Sequence, residues 1–133
     1  MAEGLVKRLK SRAQFQALLG GQTVAKTSHF VMHYMLIRGL PPEAQHSLFS
    51  PGVWLGAMVP KRWAKRAVTR NCIKRQIYAI GLGLGLQVPS AAYLVRLRQE
   101  FSRKSFPSAS SLALQAAVRA ELKDLLQRGL KAD

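Results

Sequence analysis

The chain has 133 residues, and its 21 Lys+Arg against 6 Asp+Glu give a formal net charge of +15 and a sequence pI of about 11.2. That length fits one compact domain, and a hydrophobic content of 48% excludes the composition of a disordered charged tail. No apolar run approaches the ~18 residues of a spanning helix, which makes a membrane surface the weaker second choice of partner, and no membrane is expected. A folded body with this much uncompensated charge calls for a polyanion, and nucleic acid is the leading expectation. The start MAEGLVKRLK shows no apolar signal region. The single cysteine, Cys72, has no internal partner, and the cytoplasm is the expected location.

In chain order, Leu9 to Leu19 carries Leu9, Phe15, Leu18 and Leu19 among Ser, Arg and Gln, which predicts a short amphipathic helix stopped by Gly20-Gly21. Val24 and its neighbours predict a short edge strand. His29 to Ile37 is β-branched, aromatic or apolar and is closed by Pro41-Pro42, the pattern of a buried strand. Val53 to Val59 predicts another strand, Ala64 to Ile80 a helix ended by Gly81, Gly83 and Gly85, and Ala91 to Arg98 a further strand. Ser108, Ser110 and Ser111 offer N-caps to a last helix, with Leu114, Ala117, Val118, Leu122 and Leu125 at helical spacing. The order helix, three strands, helix, strand, helix predicts an α+β two-layer sandwich. One domain spans 1–133, with 1–7 and 128–133 expected to be flexible.

The acids are Glu3, Glu43, Glu100, Glu121, Asp124 and Asp133, with none between Glu43 and Glu100. Chemistry on two protein-held metals needs several converging carboxylates, so no metal tightly held by the protein is expected. His29, His33 and His46 lie in one stretch without an evident acid/base partner, and are read as strand and loop residues. The GLGLG run at Gly81 to Gly85 follows a helix, whereas a dinucleotide fingerprint follows a strand and opens a helix. It is read as a helix stop and loop.

Between Lys61 and Arg75 stand Lys61, Arg62, Lys65, Arg66, Arg70, Lys74 and Arg75 with no acid, the opposite of a solvated helix that mixes signs. At ~100° per residue, Ile73, Ile77 and Ile80 fall on one side and Asn71, Lys74, Arg75 and Tyr78 on the other. The apolar side can dock on a sheet. The other side offers cations to phosphates, and Asn71 can face a base edge or a ribose 2′-hydroxyl.

The run Arg70-Asn71-Cys72-Ile73-Lys74-Arg75 resembles the arginine-asparagine-arginine motif of the protein subunit of bacterial ribonuclease P, usually R-N-R-[IL]-K-R. Leu55-Gly56, Val59 and Lys61-Arg62 resemble the family's strand and basic pair ahead of it. Arg8-Leu9-Lys10, Phe15 and Phe30-Val31 resemble its first helix and the strand that follows. The resemblance runs from about Arg8 to about Leu126. It implies the cofactor of an RNA enzyme that cuts precursor tRNA to release the 5′ leader, with magnesium held by RNA, no catalytic protein side chain, and a protein monomeric within the ribonucleoprotein. It also implies an α+β sandwich with a left-handed βαβ crossover, against the usual handedness.

By the same resemblance Lys61, Arg62, Arg70, Asn71, Lys74 and Arg75 would bind the catalytic RNA, and Lys65 and Arg66, from the charge of the same stretch, are expected to join them. Phe15, Leu19, Val31 and His33 would line a cleft for the precursor leader, where a base can stack on an aromatic side chain. Cys72 replaces the second arginine of the motif, Tyr78 stands where another arginine is frequent, and His33 stands where some members carry tyrosine. Cys72 among cations could have a lowered pKa or be a half-buried helix residue. The alternative function is a ribosomal or other structural RNA-binding protein without a leader cleft. A third reading is a protein-only nuclease.

Overall fold

The structure, a computed structural model, describes residues 6–37, 40–43, 48–49, 52–83, 91–102, 104–106 and 111–131. Five strands make one sheet: β1 (Val6–Arg8), β2 (Gln22–Lys26), β3 (Phe30–Leu36), β4 (Val53–Met58) and β5 (Ala91–Leu97). Their spatial order is β1-β4-β5-β3-β2. The helices are α1 (Arg12–Leu19), α2 (Ala67–Gly83) and α3 (Leu112–Lys131). Strand β4 runs parallel to β5 with α2 between them in sequence, while β3 pairs antiparallel with both β5 and β2.

Strand periodicity sorts the side chains onto two faces. One face carries Phe30, Met32, Tyr34, Leu55, Ala57, Tyr93 and Val95, packed against Ile73 and Ile77 of α2 and Leu114, Val118, Leu122 and Leu125 of α3. The other carries Ala92 and Leu94, packed against Leu9 and Leu18, with Phe15, Trp54 and Met58 at the margin. The expected α+β sandwich is therefore present, and α1 adds a short cover on its second face.

Three boundaries differ from expectation. The chain enters as a strand, although 1–7 was expected to be flexible and the first element a helix: Val6–Arg8 pair parallel with Val53–Leu55 of β4. The Leu9 N–H extends that ladder by donating to the Leu55 carbonyl at 3.0 Å, so α1 begins later, capped by Ser11. The Gln14 N–H donates to Ser11 Oγ, and Gln14 Oε1 accepts from the Ser11 N–H, a reciprocal capping box.

Helix α2 starts at Ala67 rather than Ala64, because the Trp63 and Ala64 N–H groups both donate to the Pro60 carbonyl and close a separate turn. It also passes through Gly81, the first of the three glycines expected to end it, and is described to Gly83. A Cβ at position 81 would lie 2.3 Å from Leu55 Cδ2, so this glycine serves close helix-to-sheet approach. Gly85 lies outside the described residues, as do Ser108 and Ser110. The cap of α3 is Ser111, whose Oγ accepts from the Leu114 N–H at 3.1 Å.

Helix α3, which continues to Lys131 across part of the C-terminal segment expected to be flexible, is tied to the β2–β3 turn. The Glu121 carboxylate accepts from Thr27 Oγ1 (2.6 Å) and the His29 N–H (2.6 Å), and meets His29 Nδ1 at 2.7 Å. The His29 ring stacks on Phe101 with centroids 3.9 Å apart. No described helix is long and apolar enough to cross a membrane.

Candidate nucleic-acid interface

The turn after β4 presents Lys61, Arg62, Lys65 and Arg66 as exposed side chains, with the Arg62 guanidinium 5.4 Å from the Trp63 ring centroid. Arg70 behaves differently. Its Nη1 donates to the Ala64 carbonyl at 3.0 Å and the Lys65 carbonyl at 2.8 Å, so this guanidinium organises the turn that displays the other cations.

On α2, Asn71, Lys74 and Arg75 are exposed while Ile73 and Ile77 are buried in the core. This is the division that 100° spacing predicts. Cys72 is 6% exposed and stands apart from the polar stripe; burial pushes its thiol pKa up against the opposing pull of the Arg75 charge. The reading as a packed helix residue holds, and an activated thiolate does not. Gln76, also buried, accepts from Arg119 Nε at 3.2 Å and joins α2 to α3.

The second expected set lies on the opposite face of the sheet. Phe15 is half-buried against the smaller core cluster, and Leu19 is 40% exposed. Val31 and His33 do share a strand face, but they are only 3% and 5% exposed. His33 sits opposite Thr23 on one side and Leu94 on the other. Arg96 Nε donates to His33 Nε2 at 3.4 Å, which assigns the ring proton to Nδ1, facing Thr23 Oγ1 at 3.5 Å. Burial first, and the Arg96 charge second, hold the His33 pKa below its ordinary value. Both effects favour the neutral imidazole, the form that the acceptor role requires.

Sequence reasoning missed Arg96. Register brings Met58, Arg96, Val31 and Lys26 into one cross-strand row, next to the row that holds His33 and Leu94. Arg96 is half-buried and is the guanidinium on this face of β5. The basic turn leaves the same end of the sheet, since Met58 is the last residue of β4 and Lys61 follows three positions later. The expected residues thus form two surfaces, α2 with its preceding turn on one face and α1 with β3 on the other, joined at the Met58 end by a cationic turn.

A family profile for ribonuclease P matches residues 6–128. The chain belongs to the ribonuclease P protein component family. It is 29% identical over 124 residues to the ribonuclease P protein component of Burkholderia mallei (strain SAVP1), covering 93% of this chain and 82% of that one. With its counterpart from Bordetella parapertussis it shares 32% identity over 115 residues, covering 86% and 85%. In fold it is similar to the Staphylococcus aureus RNase P protein, with a TM-score of 0.64 at 22% identity over 90% of this chain and 92% of that one. The Thermotoga maritima RNase P protein in complex with 1-(4-fluorophenyl)-2-thiourea gives the same TM-score and identity, covering 91% and 98%. The role of the chain is accordingly that of a ribonuclease P subunit in tRNA processing. A scaffold of another RNA particle is not favoured.

Proposed function

We propose that this protein assembles with a catalytic ribonuclease P RNA through α2 and its basic turn, and assists removal of the precursor tRNA 5′ leader, which it holds beside α1. The observation that carries the reading is the exposed stripe Asn71, Lys74 and Arg75, continuous with Lys61, Arg62, Lys65 and Arg66, on a helix whose inner face is buried. Cations on a convex helix suit a folded RNA backbone. Arg70 acts from beneath, by shaping the turn.

The leader surface consists of Phe15 and Leu19 on α1 and Arg96 on β5. Val31 forms its floor, and His33 orients Arg96. Half-exposed aromatic and aliphatic groups suit unstacked bases, and a fixed guanidinium suits a phosphate. Cleavage itself belongs to the RNA. Among the described residues no group of three or more His, Cys, Asp or Glu converges, and Glu121 is committed to Thr27 and His29. On this reading magnesium is held mainly by RNA. The protein acts as a monomer within the ribonucleoprotein, in the cytoplasm.

Reconstitution tests this reading. RNA-free protein incubated with magnesium and precursor tRNA is expected to give no cleavage, and addition of a bacterial ribonuclease P RNA transcript at low magnesium is expected to give the mature 5′ end faster than the transcript alone. Cleavage by the RNA-free protein, or no stimulation of the transcript, contradicts it.

A further inference from the structure

The polar stripe of α2 ends on Tyr78, one turn beyond Lys74 and Arg75, and Tyr78 is itself covered. The Arg8 guanidinium on β1 lies 4.1 Å from its ring centroid, while the ring is pinned by the Ala57 N–H, which donates to the phenol oxygen at 3.2 Å. A guanidinium seated over an aromatic ring leaves N–H groups for other acceptors, and its fork geometry matches phosphate oxygens. Arg8 therefore prolongs the α2 stripe onto the edge strand of the sheet.

The preceding residue carries the charge around that edge. Arg8 shares the α2 face with Leu55, whereas Lys7 is paired with Trp54 on the α1 face, its Nζ 5.3 Å from the Trp54 ring centroid. There Lys7, Arg8 and Lys10 line a groove with Ser11, Gln14 and Trp54. Three adjoining pieces of structure, the end of α2, strand β1 and the entry to α1, thus present cations along one path, and Lys7, Arg8 and Lys10 are all exposed.

We propose that this β1 edge is a second RNA-backbone site, continuous with α2 through Arg8 seated on Tyr78, and that its occupant is the sugar-phosphate backbone of the catalytic RNA. The inference rests on the RNA-binding reading of α2 and extends it. Continuity argues for the catalytic RNA over the leader. The groove lies beside the first residues of β4, whereas Arg96 is opposite Met58 at the far end of that strand.

The test measures binding of intact protein variants to a ribonuclease P RNA transcript across a salt series, with thermal melts. Lys7→Ala with Lys10→Ala is expected to flatten the slope of log K against log salt by about 0.7–0.9 for each phosphate that is no longer neutralised. Arg8→Lys, which keeps the charge and loses the guanidinium fork, is expected to weaken binding several-fold, as is Tyr78→Leu, which removes no charge. Tyr78→Phe keeps the platform and is expected to bind within about twofold of the parent even where its melting temperature falls, which separates stacking from stability. Lys123→Ala on α3 serves as the exposed-cation control.

Cations on an edge strand also block strand-to-strand aggregation. If that is their whole role, the β1 variants bind RNA like the parent while Lys74→Ala with Arg75→Ala does not, and the inference falls with the function intact. If neither set alters binding, the reading of α2 falls as well. If the β1 variants change only the preference for long-leader over leaderless precursor tRNA, the occupant is the leader and the assignment to the catalytic RNA is overturned.

Discussion

On one face of the sheet, α2 turns Asn71, Lys74 and Arg75 to solvent and relies on Ile73 and Ile77 beneath them for its position. On the other face, the strand residues nearest the proposed leader surface, Val31 and His33, are themselves buried, and the half-buried cation Arg96 is tied to His33. The first surface separates anchoring from binding, so its outer residues can be changed at little cost to the fold. The second mixes the two roles in the same side chains, so its variants report on binding only when stability is measured beside it.

The largest expected effect breaks the first surface from within. Ile77→Ala should cost about 2–5 kcal/mol of stability and take RNA binding with it, whereas Lys74→Ala with Arg75→Ala should leave the melting temperature close to the parent's. Chemical denaturation of both variants checks this, and equal destabilisation would erase the distinction drawn for α2.

A smaller effect is expected on the opposite face. Phe15→Ala should weaken binding of a long-leader precursor tRNA by on the order of 1–3 kcal/mol, the worth of one stacked base, with less change for mature tRNA; Arg96→Ala should act in the same direction. The comparison is made on variants shown by thermal melts to be folded. Equal losses for leader and leaderless substrates would assign Phe15 to core packing alone.

The smallest effect sharpens the role of His33. Its folded pKa is depressed by burial and by Arg96, so below about 6.5, the ordinary histidine value, the unfolded chain binds a proton that the folded chain resists. Stability is therefore present above that value and is lost as pH falls from there toward the folded pKa. Between pH 7.5 and 5.5 the parent's melting temperature should fall further than that of His33→Gln. Parallel curves would mean that His33 is not held neutral.

Much of the α2 surface was legible in the sequence because a 3.6-residue period places Ile73 and Ile77 opposite Lys74 and Arg75 without tertiary information. Strands β3 and β5 were legible from composition, being mostly apolar and aromatic runs, FVMHYML and AAYLVRL, bounded by turn residues. Strand β1 was not: Val6, Lys7 and Arg8 carry no period in three residues, and only the neighbouring β4 makes them a strand. The extension of α2 through Gly81 depended on Leu55, a residue from another element. Arg96 escaped notice because its meaning comes from register, which sets it beside His33 and opposite Val31, and Arg70 looked like its motif neighbours until its guanidinium was seen to bind the carbonyls of the preceding turn.

The central claim is that α2 is the main contact with the catalytic RNA, and the salt dependence of that binding tests it most directly. For Lys74→Ala with Arg75→Ala, the slope of log K against log salt should flatten by about 1.4–1.8, that is, about 0.7–0.9 for each of two phosphates, in a variant that melts with the parent. An unchanged slope together with unchanged affinity would place the RNA surface elsewhere on the molecule.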